Sequence, residues 1–417
     1  MKNSGIEWIG EIPDDWEVER LQWYIEEVKV SNNPMQTDCV LSLTNKAGVI
    51  PYEEKGAQGN VAKEDYTQYK LAYPHTIVAN SMNILIGSVG ICNYFGCVSP
   101  VYYVFKPTDK ADLFYINYIM QTVPFQKELR RYANGILEIR LRVSANGILK
   151  RKIAIPSLDQ QKSIVAEINK KCAAIDSMVA NQQAQIEKLK EYKQSVITEA
   201  VTKGLDPSVP MKPSGVEWIG EVPINFSIQN IRSLFQIRKE VIGREPETVL
   251  SITQSGLKIK NVSENEGQMA NSYANYQIVH IGDFAINHMD LLTGGIGISK
   301  YEGVTSPDYR VFKIKKVSYI KKYFLYVFET YYRNKIFYAF GQGAANLGRW
   351  RLPAQNFYSI FIPVPSVKDQ QQIADHLDKK CAEIDKLISV KQQKIEKLNE
   401  YKKSLIYEYV TGKKEVG

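Results

Sequence analysis

The stretch SGIEWIGEIP at residues 4–13 returns as SGVEWIGEVP at residues 214–223, identical at eight of ten positions and otherwise exchanging Ile for Val. A repeat of this quality decides the architecture before any local reading, because a duplicated chain is two copies of one unit. Working outward, IEKLKEYKQSVITEAVTKG from Ile186 returns as IEKLNEYKKSLIYEYVTGK from Ile395. KKCAAID from Lys170 returns as KKCAEID from Lys379, and IPSLDQQ from Ile155 as VPSVKDQ from Val364. The chain therefore runs opening motif, variable block, helix, and then the same series again.

The variable blocks are themselves weakly related. LSLTNKAG from Leu41 parallels LSITQSGL from Leu250, and GCVSPVYYVFK from Gly96 parallels GVTSPDYRVFK from Gly303. Asn80, Met82, Gly87 and Gly90 line up with Asn287, Met289, Gly294 and Gly297. Scaffold positions agree while the residues between them differ, so one fold is used twice with different surfaces. From Leu71 to Phe105, β-branched and aromatic runs alternate with Gly and Pro punctuation, which predicts short strands. ADLFYINYIMQTVPFQKELRRYA from Ala111 then reads as helix. The expected fold class is α+β, with two such blocks alternating with two long helices in a pseudo-two-fold repeat. The boundaries fall at 1–155 for the first block with its opening motif and 156–204 for the first helix. Residues 205–364 hold a linker, the second opening motif and the second block, and 365–417 the second helix and tail.

In each repeated helix Pro and Gly are missing for about 40 residues, a length of about 60 Å at 1.5 Å per residue. Ile175, Val179, Gln182, Ile186 and Leu189 alternate spacings of four and three, as do Ile384, Ile388, Lys391, Ile395 and Leu398. That is the seam of a coiled coil, and the polar Gln182 and Lys391 are of the kind that fixes register. Two helices of equal length in one chain are expected to pack antiparallel.

At 417 residues, 44% hydrophobic and 24% charged, the composition suits an ordinary globular protein of about two to four domains. No apolar run reaches the roughly 18 residues of a membrane helix, and MKNSGIEWIG has no signal-peptide core, so a cytoplasmic protein with no membrane partner is expected. Cys92 and Cys97, among five Cys, have no second pair to complete a zinc site and read as structural thiols. The net charge of +8 is compatible with nucleic acid without requiring it.

Catalytic constellations do not survive the duplication. There is no dinucleotide fingerprint and no Walker loop, and GGIGIS from Gly294 reads as tight turns. His75, His280, His288 and His376 lack metal-ligand spacing, and NNPMQ from Asn32 lacks the second Pro and the aromatic of an adenine-methyltransferase motif. Pro13-Asp14 with Glu27-Val28-Lys29 fits a permissive nuclease pattern, but the second copy has Pro223-Ile224-Asn225. No chemistry, metal or cofactor is expected in this chain.

With its repeats in place, the chain resembles the specificity subunit of a type I restriction–modification system over essentially all of its length. The resemblance rests on WIGEIP and WIGEVP, on IPSLDQQKSI and VPSVKDQQQI, and on the two IEKL helix bodies; Asp159-Gln160-Gln161 departs slightly from the family, which often has Glu-Gln after the Pro. It implies two target-recognition domains, each reading half of a split double-stranded DNA target. The helices would set the separation and dock two modification (methyltransferase) subunits. S-adenosylmethionine would reside on those subunits, and ATP and Mg on separate motor-nuclease restriction subunits. The rival is a coiled-coil pseudo-dimer bridging two protein partners without reading DNA.

Base edges must be read by side chains that reach them, while phosphate contacts only position the protein. Arg140 and Arg142 match Arg349 and Arg351 in spacing, and alternate residues share one face of an extended segment. Thr44, Asn45 and Lys46 occupy the place of Thr253, Gln254 and Ser255, with Lys258 following; matched position with altered chemistry is what base-reading loops would show. Asn80 and Ser81, against Asn287 and His288, complete the expected DNA contacts.

Overall fold

The computed structural model describes residues 1–44, 48–55, 65–135, 141–254, 256–261, 270–343 and 350–416. It divides into two compact units, Met1–Gln183 with Gln392–Gly417, and Ala184–Lys391. Each unit takes one end of each long helix, Leu158–Lys203 of 46 residues and Val367–Val410 of 44.

The first unit is built on a four-stranded antiparallel sheet in the order Ile25–Glu27, Tyr102–Pro107, Thr76–Asn80, Val89–Cys92. Thr76–Asn80 is buried along its whole length, as an interior strand rich in β-branched residues should be. Four antiparallel pairs accompany it: Lys2–Asn3 with Glu11–Ile12, Glu17–Arg20 with Lys152–Ile155, Leu41–Thr44 with Gly48–Pro51, and Lys70–Ala72 with Gly96–Val98. The segment read as one helix is two. Leu113–Gln121 is capped by Asp112, whose Oδ1 accepts from the backbone N–H of Phe114 and Tyr115, each at 2.9 Å. The helix stops at Thr122 in extended conformation, and Val123–Arg130 restarts with Pro124 in its first turn, where a missing N–H is harmless.

The second unit repeats every pairing. Its sheet runs Phe235–Ile237, Arg310–Ile314, Phe284–Ile286, Ile296–Ile298. Ser227–Asn230 pairs with Phe361–Val364, Leu250–Thr253 with Gly256–Ile259, and Gln277–Val279 with Gly303–Thr305. The registers correspond residue by residue: Phe105 opposite Ile77 in one, Phe312 opposite Phe284 in the other.

Each sheet's helices anchor onto the ends of the long ones. The buried Tyr115 hydroxyl reaches the carbonyls of Val410 (3.0 Å) and Ala154 (3.3 Å). Its counterpart Tyr323 reaches Pro363 (3.0 Å) and Val201 (3.3 Å). A buried phenol is tolerated because its hydroxyl finds such acceptors.

Within the second unit Lys193 pairs with Asp385 and Lys391 with Gln185, a descending order that makes the helix segments antiparallel. In the first, Asp176 pairs with Lys402, and Ile168 shares the core with Tyr409. The seam residues Ile175, Ile186 and Ile384 are buried; Val179, Leu189, Ile388, Ile395 and Leu398 are half-buried. Met178, Leu387 and Val390, off the seam, are more than half exposed. The long helices carry the coiled-coil seam read from their spacing. The seam's polar Lys391 finds its partner in Gln185, one turn from the Gln182 singled out by spacing alone.

Candidate nucleic-acid interface

In each unit three short segments from distant parts of the block come together. The first is a hairpin. Thr44 Oγ1 donates to the Gly48 carbonyl at 3.1 Å, and Thr253 Oγ1 to that of Gly256 at 2.9 Å. Gly48 and Gly256 hold φ of +69° and +97°, a region open to glycine at little cost. The same Thr–Gly clasp thus closes both hairpins over unlike tips. Asn45, Lys46 and Ser255 lie outside the described residues. Gln254 is exposed and its Nε2 donates to the Thr293 carbonyl at 3.1 Å; Lys258 is exposed, opposite Ser251.

The hairpin lies directly on the glycine-rich strand. A Cβ on Gly297 would stand 2.9 Å from Gly256 Cα, and one on Gly90 3.3 Å from Gly48 Cα. A Cβ on Gly295 would fall 2.1 Å from the Thr253 carbonyl oxygen. GGIGIS is therefore a surface for close backbone approach, and its glycines answer a need for space rather than for tight turns.

The second segment is the turn leaving the central strand. Asn80 Oδ1 accepts from Met82 N at 3.0 Å and Asn83 N at 3.3 Å. Asn287 Oδ1 accepts from Met289 N and Asp290 N, both at 3.1 Å. Asn80 is 7% exposed and Ser81 3%. Both Asn side chains turn their Oδ1 onto their own backbone, and Ser81 is enclosed. They shape the turn. His288, at the place of Ser81, is half-buried, and burial, then the charges of Arg310 and Arg351, push its imidazole down to about 4.

The third segment carries the arginines. Arg142 is exposed and bridges backbone to backbone with Asn134 at 2.8 and 2.9 Å; Arg351 is exposed and bridges Gln342 at 2.7 and 3.0 Å. The next residue in each case ties the segment to the turn, Val143 N to the Ser81 carbonyl and Leu352 N to the His288 carbonyl, both at 3.0 Å. Arg140 and Arg349 lie outside the described residues. Exposed guanidinium groups held on a fixed backbone suit phosphate or guanine.

One residue escaped the sequence reading. Arg310, the first residue of the strand Arg310–Ile314, is 7% exposed; its Nη2 donates to the Leu352 carbonyl at 2.7 Å. The first unit has Tyr103 there. The signal was the Tyr103-to-Arg310 exchange between the paralleled segments SPVYYVFK and SPDYRVFK.

Residues 248–400 match the family model of the type I restriction modification DNA specificity domain. The chain is 23% identical to the putative type I restriction enzyme MjaX specificity subunit of Methanocaldococcus jannaschii, over 97% of this chain and 95% of that one. It is likewise 23% identical to the type I restriction enzyme MjaVIII specificity subunit of the same organism, over 96% and 93%. A chain solved in a study of complex assembly and conformational transition of the type I R-M system shares the fold with TM-score 0.66 at 10% identity, covering 96% of this chain and 98% of that one. The HsdS subunit from Thermoanaerobacter tengcongensis gives 0.50 at 12% identity, over 96% and 98%.

Proposed function

We propose that this chain, a member of the type I restriction–modification specificity-subunit family, reads a bipartite DNA target with one half assigned to each unit. The observation that carries the division is the pairwise identity of scaffold against unlike site residues. Every strand pairing, the Thr–Gly clasp, the Asn turn and the Arg bridge recur, while Ser81 and Tyr103 are replaced by His288 and Arg310. Two readers on one scaffold permit an asymmetric target, as unlike subunits of a dimer would.

The chain is the non-catalytic recognition component of its system. The long helices set the gap between the half-sites and dock two modification subunits, which bring S-adenosylmethionine; motor-nuclease subunits bring ATP and Mg. Such a complex works on DNA in the cytoplasm, and among the described residues no helix is long and apolar enough to cross a membrane.

The test is a block exchange. Replacing residues 14–155 with the equivalent block of a relative, in cells that supply the modification subunits, should change one half of the methylated motif and leave the other intact. A change in both halves or in neither would show that the units do not read separately. Absence of any motif-specific binding by the parent complex would favour a bridging scaffold instead.

A further inference from the structure

We propose that His288, Arg310 and Arg351 form a donor site, particular to the second unit, that takes an acceptor-rich group of DNA: a phosphate oxygen or the O6/N7 edge of guanine. The proposal rests on the DNA-reading function above and names the group that one of its readers recognises.

Arg310 is the key. Its guanidinium is buried: Nη2 donates to the Leu352 carbonyl, while Nη1 is enclosed and has no hydrogen-bond partner among the described residues. The Phe357 ring lies under the cation, 5.2 Å from centroid to Cζ, so one side of the group is apolar. Burial lowers the guanidinium's pKa to about 10, and Tyr358 acts in the opposite direction. A buried cation with an unmet donor is normally costly, and such a group in a folded protein calls for an explanation.

His288 has the same unmet need. Its Nδ1 is enclosed and without a partner among the described residues. With the ring held neutral, whichever nitrogen carries the hydrogen, it adds one donor and one acceptor. Leu352 joins the pair, accepting from Arg310 at its carbonyl and donating to the His288 carbonyl from its N–H. Arg351, the preceding residue, is exposed, so the cluster reaches the surface through Arg351 and the half-buried ring. Two cations and a neutral ring fit an acceptor; guanine is the base that offers two acceptors on its major-groove edge.

The first unit supplies the contrast. Arg142 corresponds to Arg351, but Ser81 and Tyr103 stand in for His288 and Arg310, and the Tyr103 ring is occupied by the Lys70 ammonium at 4.8 Å. The shared arginine is therefore common equipment, and the variable pair is where the two readers part.

Arg310→Met and His288→Ser are to be compared with the parent complex, by motif mapping in cells and by binding of duplexes over a range of salt. If the site takes guanine, both variants relax one position in the second unit's half of the motif. Discrimination at that position then falls roughly 5- to 150-fold. If it takes a phosphate, all duplexes weaken alike and the log–log salt slope becomes shallower by about one for Arg310→Met. Either result supports the site. An unchanged motif, affinity and salt slope in His288→Ser, with Arg310→Met altering thermal unfolding alone, would reduce Arg310 to a brace for the Leu352 carbonyl and overturn the proposal. Should Arg310→Met fail to fold, His288→Ser decides by itself. Failure of the parent complex to bind a specific motif would strike the underlying function, a separate outcome.

Discussion

The two units hold the same strands in the same register with different interiors. In the first, Ile25, Ile77, Phe105, Ile116, Met120 and Ile148 fill the space between sheet and helices; in the second the corresponding residues are Phe235, Phe284, Phe312, Phe324, Phe328 and Phe357. All twelve are buried. The backbone hydrogen bonds that define the sheet are indifferent to this exchange, since pairing depends on alternation of faces and not on ring or branch. Residues facing inward can thus drift as a set while the scaffold stays, and the same freedom operates at the loops. What separates the readers is confined to side chains.

The aromatic interior should be the more sensitive to a single deletion. Phe235 meets Phe284 and Phe312 at 5.5 Å, Phe324 at 5.3 Å and Phe328 at 5.1 Å between centroids. Phe235→Ala removes the ring and these edge contacts together, for about 3–5 kcal/mol. Ile25→Ala, its counterpart, should lose about 2–4 kcal/mol. Because a chain of two units need not unfold in one step, hydrogen exchange of core amides is the appropriate measurement. Protection should fall within Ala184–Lys391 for Phe235→Ala and within the other unit for Ile25→Ala. Equal losses would mean that the ring contacts add nothing beyond buried area.

His288 offers a second asymmetry. An imidazole held at about 4 in the fold and near its ordinary 6.5 when unfolded takes a proton more readily in the unfolded chain. The second unit should therefore be fully stabilised above pH 6.5 and lose stability as pH falls toward 4, by at most about 3 kcal/mol. Ser81 gives the first unit no such dependence. In urea titrations followed by second-unit amide exchange at pH 4 to 7, His288→Ser should flatten the profile. A profile as steep in the variant as in the parent would assign the effect to other groups.

Most of this architecture was legible in the sequence because duplication is a long-range signal that survives local ambiguity. The repeat exposed the alternation of blocks and helices, and the three–four spacing marked Ile175, Ile186 and Ile384 as seam. Local readings fared less well where one residue serves two possible ends. Pro124 was absorbed into a helix because Pro is compatible with a first turn, which hides the break before it. Gly295 and Gly297 looked like turn residues, since close backbone approach depends on a partner segment about 40 positions away in the chain. Asn80 and Asn287 carry polar groups, and nothing in a sequence tells whether such a group faces solvent or its own backbone. Arg310 was hidden by its strand, where charge is unexpected and its partner Leu352 is distant.

The finest contrast lies between the two copies of one ion pair. Lys193 meets Asp385 and Lys402 meets Asp176, each at 2.7 Å, from matched places in the repeated helices. The Asp partners are 58% and 57% exposed, so solvent screens both pairs and each coupling should be about 0.2–1 kcal/mol. Their surroundings differ. Glu329, where the first unit has Gln121, is raised in pKa by burial and stabilised as an anion by Arg333, then Lys193, then Lys322. Lys193→Met therefore leaves two carboxylates with less compensation, whereas Lys402→Met leaves Asp176 alone. The expected order in thermal unfolding is a larger drop for Lys193→Met, and a smaller coupling between Lys193 and Asp385, because Lys193 retains Glu329 when Asp385 is removed. Glu329→Gln should bring the Lys193 cycle to the value of the Lys402 cycle. If the two cycles already agree with Glu329 in place, that half-buried carboxylate does not distinguish the helix ends, and the units differ only in their cores and their reading sites.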